Sequence, residues 1–296
     1  MNTALQRARV SLEGLSVGDG FGEKFFFTHG VQEAINERQL PSTPWFWTDD
    51  TAMALSIYEC LQIHQEVNSD DLAWRFTKQY INDPMRGYGP GMRRLMNEIN
   101  SGKPWRVASL ELFNGLGSFG NGAAMRVSLL GAYFANDLER VVEQAALSAE
   151  VTHAHPEGIA GAIAVAAASA LAVRQKQQNL SRQHFIQAVA ECVPESEVKS
   201  KILRATRFTD DTPIETAMFQ LGVGWEITAQ DTVPFCIWSA AKHLENFEEG
   251  LWYTVSALGD RDTTCAIVGG IIAANVGLEG IPLKWRQSRE ALPVLE

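Results

Sequence analysis

Two short acidic segments stand near opposite ends of this 296-residue chain. The first, WTDDTAMALSIYECL, sets Thr48, Asp49, Asp50 and Thr51 directly before an apolar run at helical spacing. The second, LGDRDTTCAIVGGIIAANVG, sets Asp260, Asp262 and Thr263 before another. Taken singly, each reads as an ordinary helix start, because Ser, Thr and Asp oxygens satisfy the free N–H groups of a first turn and their charge suits the helix dipole. Taken together, they hold more negative charge than capping requires. If the two helix starts face one another, four carboxylates and several hydroxyls converge, and like-charge repulsion raises their pKa values unless cations fill the space. An all-oxygen donor set without a cysteine or histidine pair suits Mg²⁺ or Mn²⁺ rather than Zn²⁺ or copper, and two ions are compatible with it.

Four further segments carry residues of the right type for chemistry. In RGYGPGM, Gly87, Gly89 and Gly91 alternate around Tyr88 and lead to Met92. Such a loop either turns successive backbone N–H groups toward an anion or simply joins two helices. In GLGSFGNGAAMR, Gly115, Gly117 and Gly120 match GxGxxG, but the preceding SLELFN shows no buried strand, so a dinucleotide fold is rejected. A loop carrying Ser118 and Asn121 into a helix fits better. THAHPEG puts His153 and His155 before Pro156, a favourable first-turn residue. Their i, i+2 spacing is not that of a helical zinc motif, which leaves helix entry and a hydrogen bond to ligand or backbone both open. Near the start, SLEGLSVGDGFGEKFFF combines a helical run with Gly18, Asp19, Gly20, Gly22 and Glu23. Asp19 reads as a structural residue at a helix end, and Glu23, at a loop entrance, as a general acid or base.

The elements that must position these residues are helices. Apolar residues recur at helical spacing from about Thr51 to Ile63, Asp70 to Ile81, Met125 to Phe134, Pro156 to Arg174, Arg182 to Cys192, Glu197 to Phe208, Pro234 to Leu244 and Thr263 to Val276. Val141, Val142, Ala145, Ala146 and Ala149 form one further stripe. Strand signals are weak, glycine and proline clusters punctuate the helices, and no long linker or fixed repeat divides the chain. A single all-α domain over residues 1–296, with a dozen or so helices, is expected.

Composition narrows the partners. A formal charge of −10 and a pI near 5.2 provide no general positive field for nucleic acid or an anionic membrane. Cys60, Cys192, Cys236 and Cys265 are scattered without a CxxC pair, as expected of free, buried thiols in a reducing compartment. The N-terminus lacks the apolar stretch of a secretory signal, so a cytoplasmic location is expected. The alanine-rich run Gly158 to Val173 is short for a bilayer span and reads as a buried core helix.

In this order, GLSVGDGFGE, WTDDTAMAL, RGYGPGM, GSFGNGAAMR, THAHPEG, LGVGW, LGDRDTTCAIVGGIIAA and GIPLKW resemble the ADP-ribosylglycohydrolase family over nearly the whole chain. The resemblance implies an all-α orthogonal bundle with two Mg²⁺ or Mn²⁺ ions held by Thr48, Asp49, Asp50, Asp260, Asp262 and Thr263. It implies hydrolysis of the glycosidic bond between ADP-ribose and a protein side chain, arginine in the first instance. Gly87 to Met92 (with Tyr88, Gly89 and Gly91), Ser118, Gly120, Asn121 and Gly122 would line the ADP-ribose groove and take the diphosphate, and His153 would approach the ribose. Two positions depart from the family pattern. Phe26 stands seven residues after Asp19, where many members carry a glutamate, so Glu23 is the substitute expected to share acid–base work with Asp49. Arg261 interrupts the usual GGDTDT segment and is expected to contact a phosphate or an outlying carboxylate. A non-catalytic protein of the same fold that binds ADP-ribose or blocks an ADP-ribosyltransferase is the alternative, and Phe26 is the feature that favours it.

Overall fold

A computed structural model describes residues 3–293. They form sixteen α-helices: α1 (Thr3–Lys24), α2 (Val31–Asn36), α3 (Asp49–His64), α4 (Ser69–Asn82), α5 (Pro90–Asn100), α6 (Trp105–Gly115), α7 (Ser128–Tyr133) and α8 (Leu138–Glu150) in the first half. The second half contains α9 (Pro156–Gln178), α10 (Arg182–Cys192), α11 (Glu197–Ala205), α12 (Ile214–Leu221), α13 (Ala229–Lys242), α14 (Phe247–Val255), α15 (Arg261–Val276) and α16 (Leu283–Ser288). No strand occurs among the described residues, as the apolar spacing predicts. The segment before the GxGxxG match is helix α6, so the rejection of a dinucleotide fold stands.

The centre of the bundle is the α1–α15 pair. Gly14, Gly18 and Gly22 repeat at four-residue spacing along α1 and face Gly269, Cys265 and Arg261 of α15. A Cβ on Gly18 would lie 2.0 Å from the Cys265 carbonyl oxygen, and one on Gly22 would lie 2.1 Å from that of Arg261. Only glycine lets the two backbones meet this closely. The consequence is positional, because the C-terminal turn of α1 lies against the N-terminal turn of α15, where Asp260 and Asp262 begin. Behind it, Phe21, Phe25, Trp45, Trp252 and Trp285 pack edge to face and stacked, with ring centroids 4.6–6.0 Å apart. Such pairs add about 0.5–1.5 kcal/mol each beyond the area they bury.

Helix α9 is long and apolar enough to cross a bilayer by length and composition alone, yet its residues from Ala160 to Ala172 are buried in the protein. It is the core helix its alanine content predicts. Boundaries elsewhere differ for local reasons. Helix α7 starts later than the expected Met125, because Asn121–Ala123 form a separate 3₁₀ turn whose Asn121 N–H donates to the Ile227 carbonyl. Helix α13 starts five residues before the expected Pro234, which is accommodated inside it. Pro90 opens α5, and Thr3 to Lys24 form one helix through every glycine of the GDGFGE segment. All four cysteines are free thiols, and Cys60, Cys236 and Cys265 are buried.

Candidate active site

A cavity of about 520 Å³ opens where α3 and α15 begin, a size typical of a small-molecule site. Asp49, Asp50, Asp260, Asp262 and Thr263 line it together, so the two acidic segments do face one another. At α3 the N-cap is Thr48, whose side chain accepts from the Asp50 N–H. Asp19, buried within α1 rather than at its end, accepts from the backbone N–H and the hydroxyl of both Thr48 and Thr51. Thr48 and Asp19 therefore cap the helix and leave the carboxylates of Asp49 and Asp50 free for other work. Thr48 itself does not line the cavity; its hydroxyl lies 2.9 Å from Asp19 Oδ1 and 3.1 Å from Asp50 Oδ2.

The α15 end is held differently. Asp260 occupies the N-cap position without a side-chain capping bond, and its Oδ2 accepts from Asn121 Nδ2 at 2.7 Å. Asn121 also lines the cavity, and its Nδ2 donates to Asp260 and to Thr232 Oγ1 at 3.1 Å, which makes it a residue that orients a carboxylate. The Asp262 carboxylate accepts from the Thr263 N–H at 2.8 Å.

Among the described residues no lysine or arginine is hydrogen-bonded to these carboxylates, and the charges of Arg126 near Asp49 and Arg261 near Asp262 offset theirs only in part. Burial, then Asp19 and Asp260, push the Asp49 carboxyl up to about 8. Burial raises Asp50 and Asp262 well above the usual carboxylate range, with the neighbouring aspartates adding to the effect. Asp260 is raised by burial and restrained by the Asn121 bond. Asp19 is raised by burial to about 6, with its four donors limiting the rise. Asp50 Oδ1 is buried without any hydrogen-bond partner. An orphaned anionic oxygen among four acidic groups is costly alone and is satisfied by a divalent cation. The donor set of carboxylate and hydroxyl oxygens fits such an ion.

A second mixed-donor group, Cys60, His64 and Asp71, lies at the other end of α3. There Asp71 already accepts from Arg75 at 2.6 Å and lies 3.2 Å from His64 Nε2.

The remaining sequence-derived residues separate into two groups. Gly87, Gly89, Gly91, Met92, Ser118, Gly120, Gly122 and His153 line the cavity. Gly87 has φ +92°, which favours glycine, and a Cβ there would stand 3.2 Å from Asp49 Oδ1. Tyr88 does not line it. Its ring is turned into the core at 90° to Tyr80, although Gly87 and the run from Gly89 to Met92 around it face the groove. Of the two histidines, His155 caps α9 by accepting from the Glu157 N–H, while His153 faces the cavity. Glu23 sits in the last turn of α1 rather than at a loop entrance, half-buried and outside the cavity lining. Burial, Asp19 and Asp260 push its carboxyl up to about 7. Arg261 lies 4.6 Å over the Phe26 ring with its guanidinium and donates to the Phe25 carbonyl at 3.3 Å, while the neighbouring Asp262 carboxylate acts on it through charge without a hydrogen bond. The side chain is drawn to the end of α1 because the helices run so close there.

The structure adds an aromatic wall. Phe113 and Phe119 line the cavity with ring centroids 6.0 Å apart, joined by Leu112, Met125 and the segment Glu226 to Thr228. Phe113 has φ +51°, a strained conformation for a bulky residue, and it ends the regular part of α6 so that the ring reaches the groove. In sequence, the FNG tripeptide before the glycine loop was the only signal for this break.

Comparison with known proteins covers the entire chain. The family profile described as ADP-ribosylglycohydrolase matches residues 1–296. The chain is 33% identical over 277 residues to ADP-ribosylhydrolase ARH3 of Gallus gallus, covering 83% of this chain and 74% of that one. It is 29% identical over 333 residues to ADP-ribosylhydrolase ARH3 of Homo sapiens, covering 97% and 90%. A solved chain described as an ADP-ribosylglycohydrolase-related protein complex superimposes with a TM-score of 0.66 at 23% identity, covering 98% of this chain and 94% of that one, and so shares the fold.

Proposed function

Since the chain belongs to the ADP-ribosylglycohydrolase family and is a glycosidic-bond hydrolase acting on ADP-ribose linkages, we propose that it releases ADP-ribose from a mono-ADP-ribosylated protein side chain in the cytoplasm, as one domain, with two Mg²⁺ or Mn²⁺ ions at the acidic cluster. The observation that carries the metal reading is the buried, unpartnered Asp50 Oδ1 among carboxylates to which no cationic side chain of the described residues is hydrogen-bonded. Thr48, Asp49, Asp50, Asp260, Asp262 and Thr263 are the residues proposed to hold the ions. When bound, such ions supply Lewis-acid chemistry: they orient hydroxyl oxygens and lower the pKa of water.

The residues of the chain supply the rest. Cleavage at an anomeric carbon develops oxocarbenium character and needs a proton donor for the leaving atom and a base for the incoming water. Glu23, held near neutrality, is suited to give and take a proton, and Asp49, which lines the cavity, is the second carboxylate assigned to this work. The glycines of the 87–91 loop and of 120–122 let backbone approach a diphosphate, and the Phe113–Phe119 wall provides π-faces of the size of a purine. These features support an ADP-ribosyl ligand lying across the cavity with its ribose toward the acidic end.

Arginine is the acceptor the family resemblance implies. Serine is the second reading, favoured by Arg261: a guanidinium beside the acidic cluster works against a cationic leaving group and not against a neutral hydroxyl. The test is to incubate arginine-linked and serine-linked mono-ADP-ribosylated peptides in parallel with Mg²⁺ or Mn²⁺ and quantify free ADP-ribose. Preferential release from the arginine peptide supports the first acceptor, preferential release from the serine peptide the second, and release from neither contradicts the proposed activity.

A further inference from the structure

Behind the cavity, Arg126 is fully buried; no carboxylate among the described residues is hydrogen-bonded to it, and Asp49 acts on it only through charge. Its guanidinium stacks 4.4 Å over the Phe76 ring and contacts Met53 Sδ. It donates to the Ser148 carbonyl and to Thr152 Oγ1, each at 2.9 Å. Helices α3, α4 and α8 thus fix one cation against the turn that leads into α9. Thr152 is itself fully buried, and its hydroxyl lies 2.7 Å from His153 Nδ1.

The proton count in this row has one satisfied solution. A guanidinium only donates, so Thr152 Oγ1 accepts from Arg126. The hydroxyl hydrogen then needs an acceptor, and His153 Nδ1 is the partner within reach. Were the proton on Nδ1 instead, two donors would point at Oγ1 and the buried hydroxyl hydrogen would have no acceptor, an arrangement that costs the desolvation of a polar group. Nδ1 is therefore the unprotonated nitrogen, and the ring proton resides on Nε2. The Nε2 edge faces Gly120 and Gly122, where a Cβ would come within 3.3 and 3.1 Å, and Nε2 has no protein hydrogen-bond partner among the described residues. Burial, and then the nearby Arg126 charge, push the imidazole pKa down to about 3, so the ring is neutral under ordinary conditions.

We propose that Arg126 and Thr152 are positioning residues that hold His153 as its neutral Nε2–H tautomer, presenting a fixed hydrogen-bond donor to a hydroxyl of the bound ADP-ribosyl group. This rests on the reading of the cavity as an ADP-ribosyl site. The donor cannot become an acceptor without stranding the Thr152 hydroxyl, so the row selects a ligand oxygen with a lone pair at that point.

Long-range ¹H–¹⁵N correlation NMR of the full-length protein, loaded with Mg²⁺ and labelled at histidine nitrogens, reads the tautomer directly; a His153→Gln spectrum assigns the signals. The wild type should show a protonated Nε2 and an unprotonated Nδ1 at neutral pH. Thr152→Val should move both nitrogens toward the averaged shifts of an imidazole exchanging between tautomers and weaken ADP-ribose binding roughly tenfold, the loss of one directed hydrogen bond. Thr152→Ser should restore both. A protonated Nδ1 in the wild type, or a Thr152→Val spectrum and affinity unchanged from wild type, overturns the proposal. A merely structural role for Thr152 would lower stability without moving the tautomer. If the wild type fails to bind ADP-ribose, the reading of the cavity fails, while the nitrogen shifts still decide what Arg126 and Thr152 do to His153.

Discussion

The two ends of helix α3 present groups of metal-ligating type in opposite states of charge balance. At the C-terminal end, Cys60, His64 and Asp71 bring their donor atoms within 4.8 Å of one another. Arg75 donates there to both Asp71 and Glu59, so the anionic charge already has its partner. At the N-terminal end, Asp49 and Asp50 meet Asp260 and Asp262 with Asp19 behind them, and no arginine or lysine of the described residues forms an ion pair with them. Proximity of suitable donors is common to both ends. What separates them is whether a protein cation has neutralised the anion, and only the N-terminal end leaves a buried carboxylate oxygen without a partner.

The largest expected effect breaks the comparison outright. Asp262→Ala should lower cation-dependent ADP-ribose release by roughly a thousandfold or more, as expected when a preorganised electrostatic centre is dismantled. Cys60→Ser should leave turnover at the wild-type level, since the buried thiol lies at the far end of α3 beside an Asp71 that already accepts from Arg75; a comparable loss in that variant would mean the wrong end had been chosen.

Next comes stability. A cation that binds only the folded protein raises unfolding free energy by about 2.7 kcal/mol at a hundred times its dissociation constant. Mn²⁺ should therefore raise the melting temperature of the wild type and of His64→Ala alike. An Asp50→Ala/Asp262→Ala double variant should show no rise, and a rise retained there would place the ion elsewhere.

Proton linkage sharpens the distinction further. Asp49 is raised to about 8 and Asp19 to about 6, both above their unfolded value near 3.8. Between these limits the folded protein holds protons that the unfolded chain has lost, so the cation-free protein should lose stability as pH rises from about 4 through 8. Urea midpoints at pH 5, 7 and 8.5 with a chelator present measure this slope. Added Mg²⁺ should flatten it, because the cation replaces the protons; an identical slope with and without Mg²⁺ would count against the site.

A smaller effect probes how the carboxylates are held. Asn121→Ala removes the bond to Asp260 Oδ2 without removing any proposed ligand. Cation affinity from titration calorimetry should fall about tenfold, the lower end for an orienting partner of a metal ligand.

The duplicated Thr/Asp pattern made the acidic cluster legible in the sequence because its excess over capping needs can be counted without coordinates. Helical spacing likewise made most long helices legible, and α10 matches residue for residue. Other features depend on contacts between distant segments. Asp19 caps a helix 29 residues away, and the glycine spacing on α1 acquires meaning only against α15. Tyr88 looked like a groove residue because its neighbours are, yet the turn points it inward. Phe113 reaches the groove because the backbone leaves helical geometry from Leu112 to Asn114, a break that the apolar spacing does not reveal. Nothing in GNGAAMR marks Arg126 as buried, and only the packing of α4 and α8 reveals it.

The central claim is that unbalanced carboxylates at the start of α3 and α15 form a cation-requiring hydrolase centre. It is tested most directly by following release of ADP-ribose from a mono-ADP-ribosylated protein after chelation and again after Mg²⁺ or Mn²⁺ is restored. The account predicts loss of release on chelation and recovery on restoring the ion, with neither step altering the Asp262→Ala variant. Full activity in the chelated wild type would contradict it.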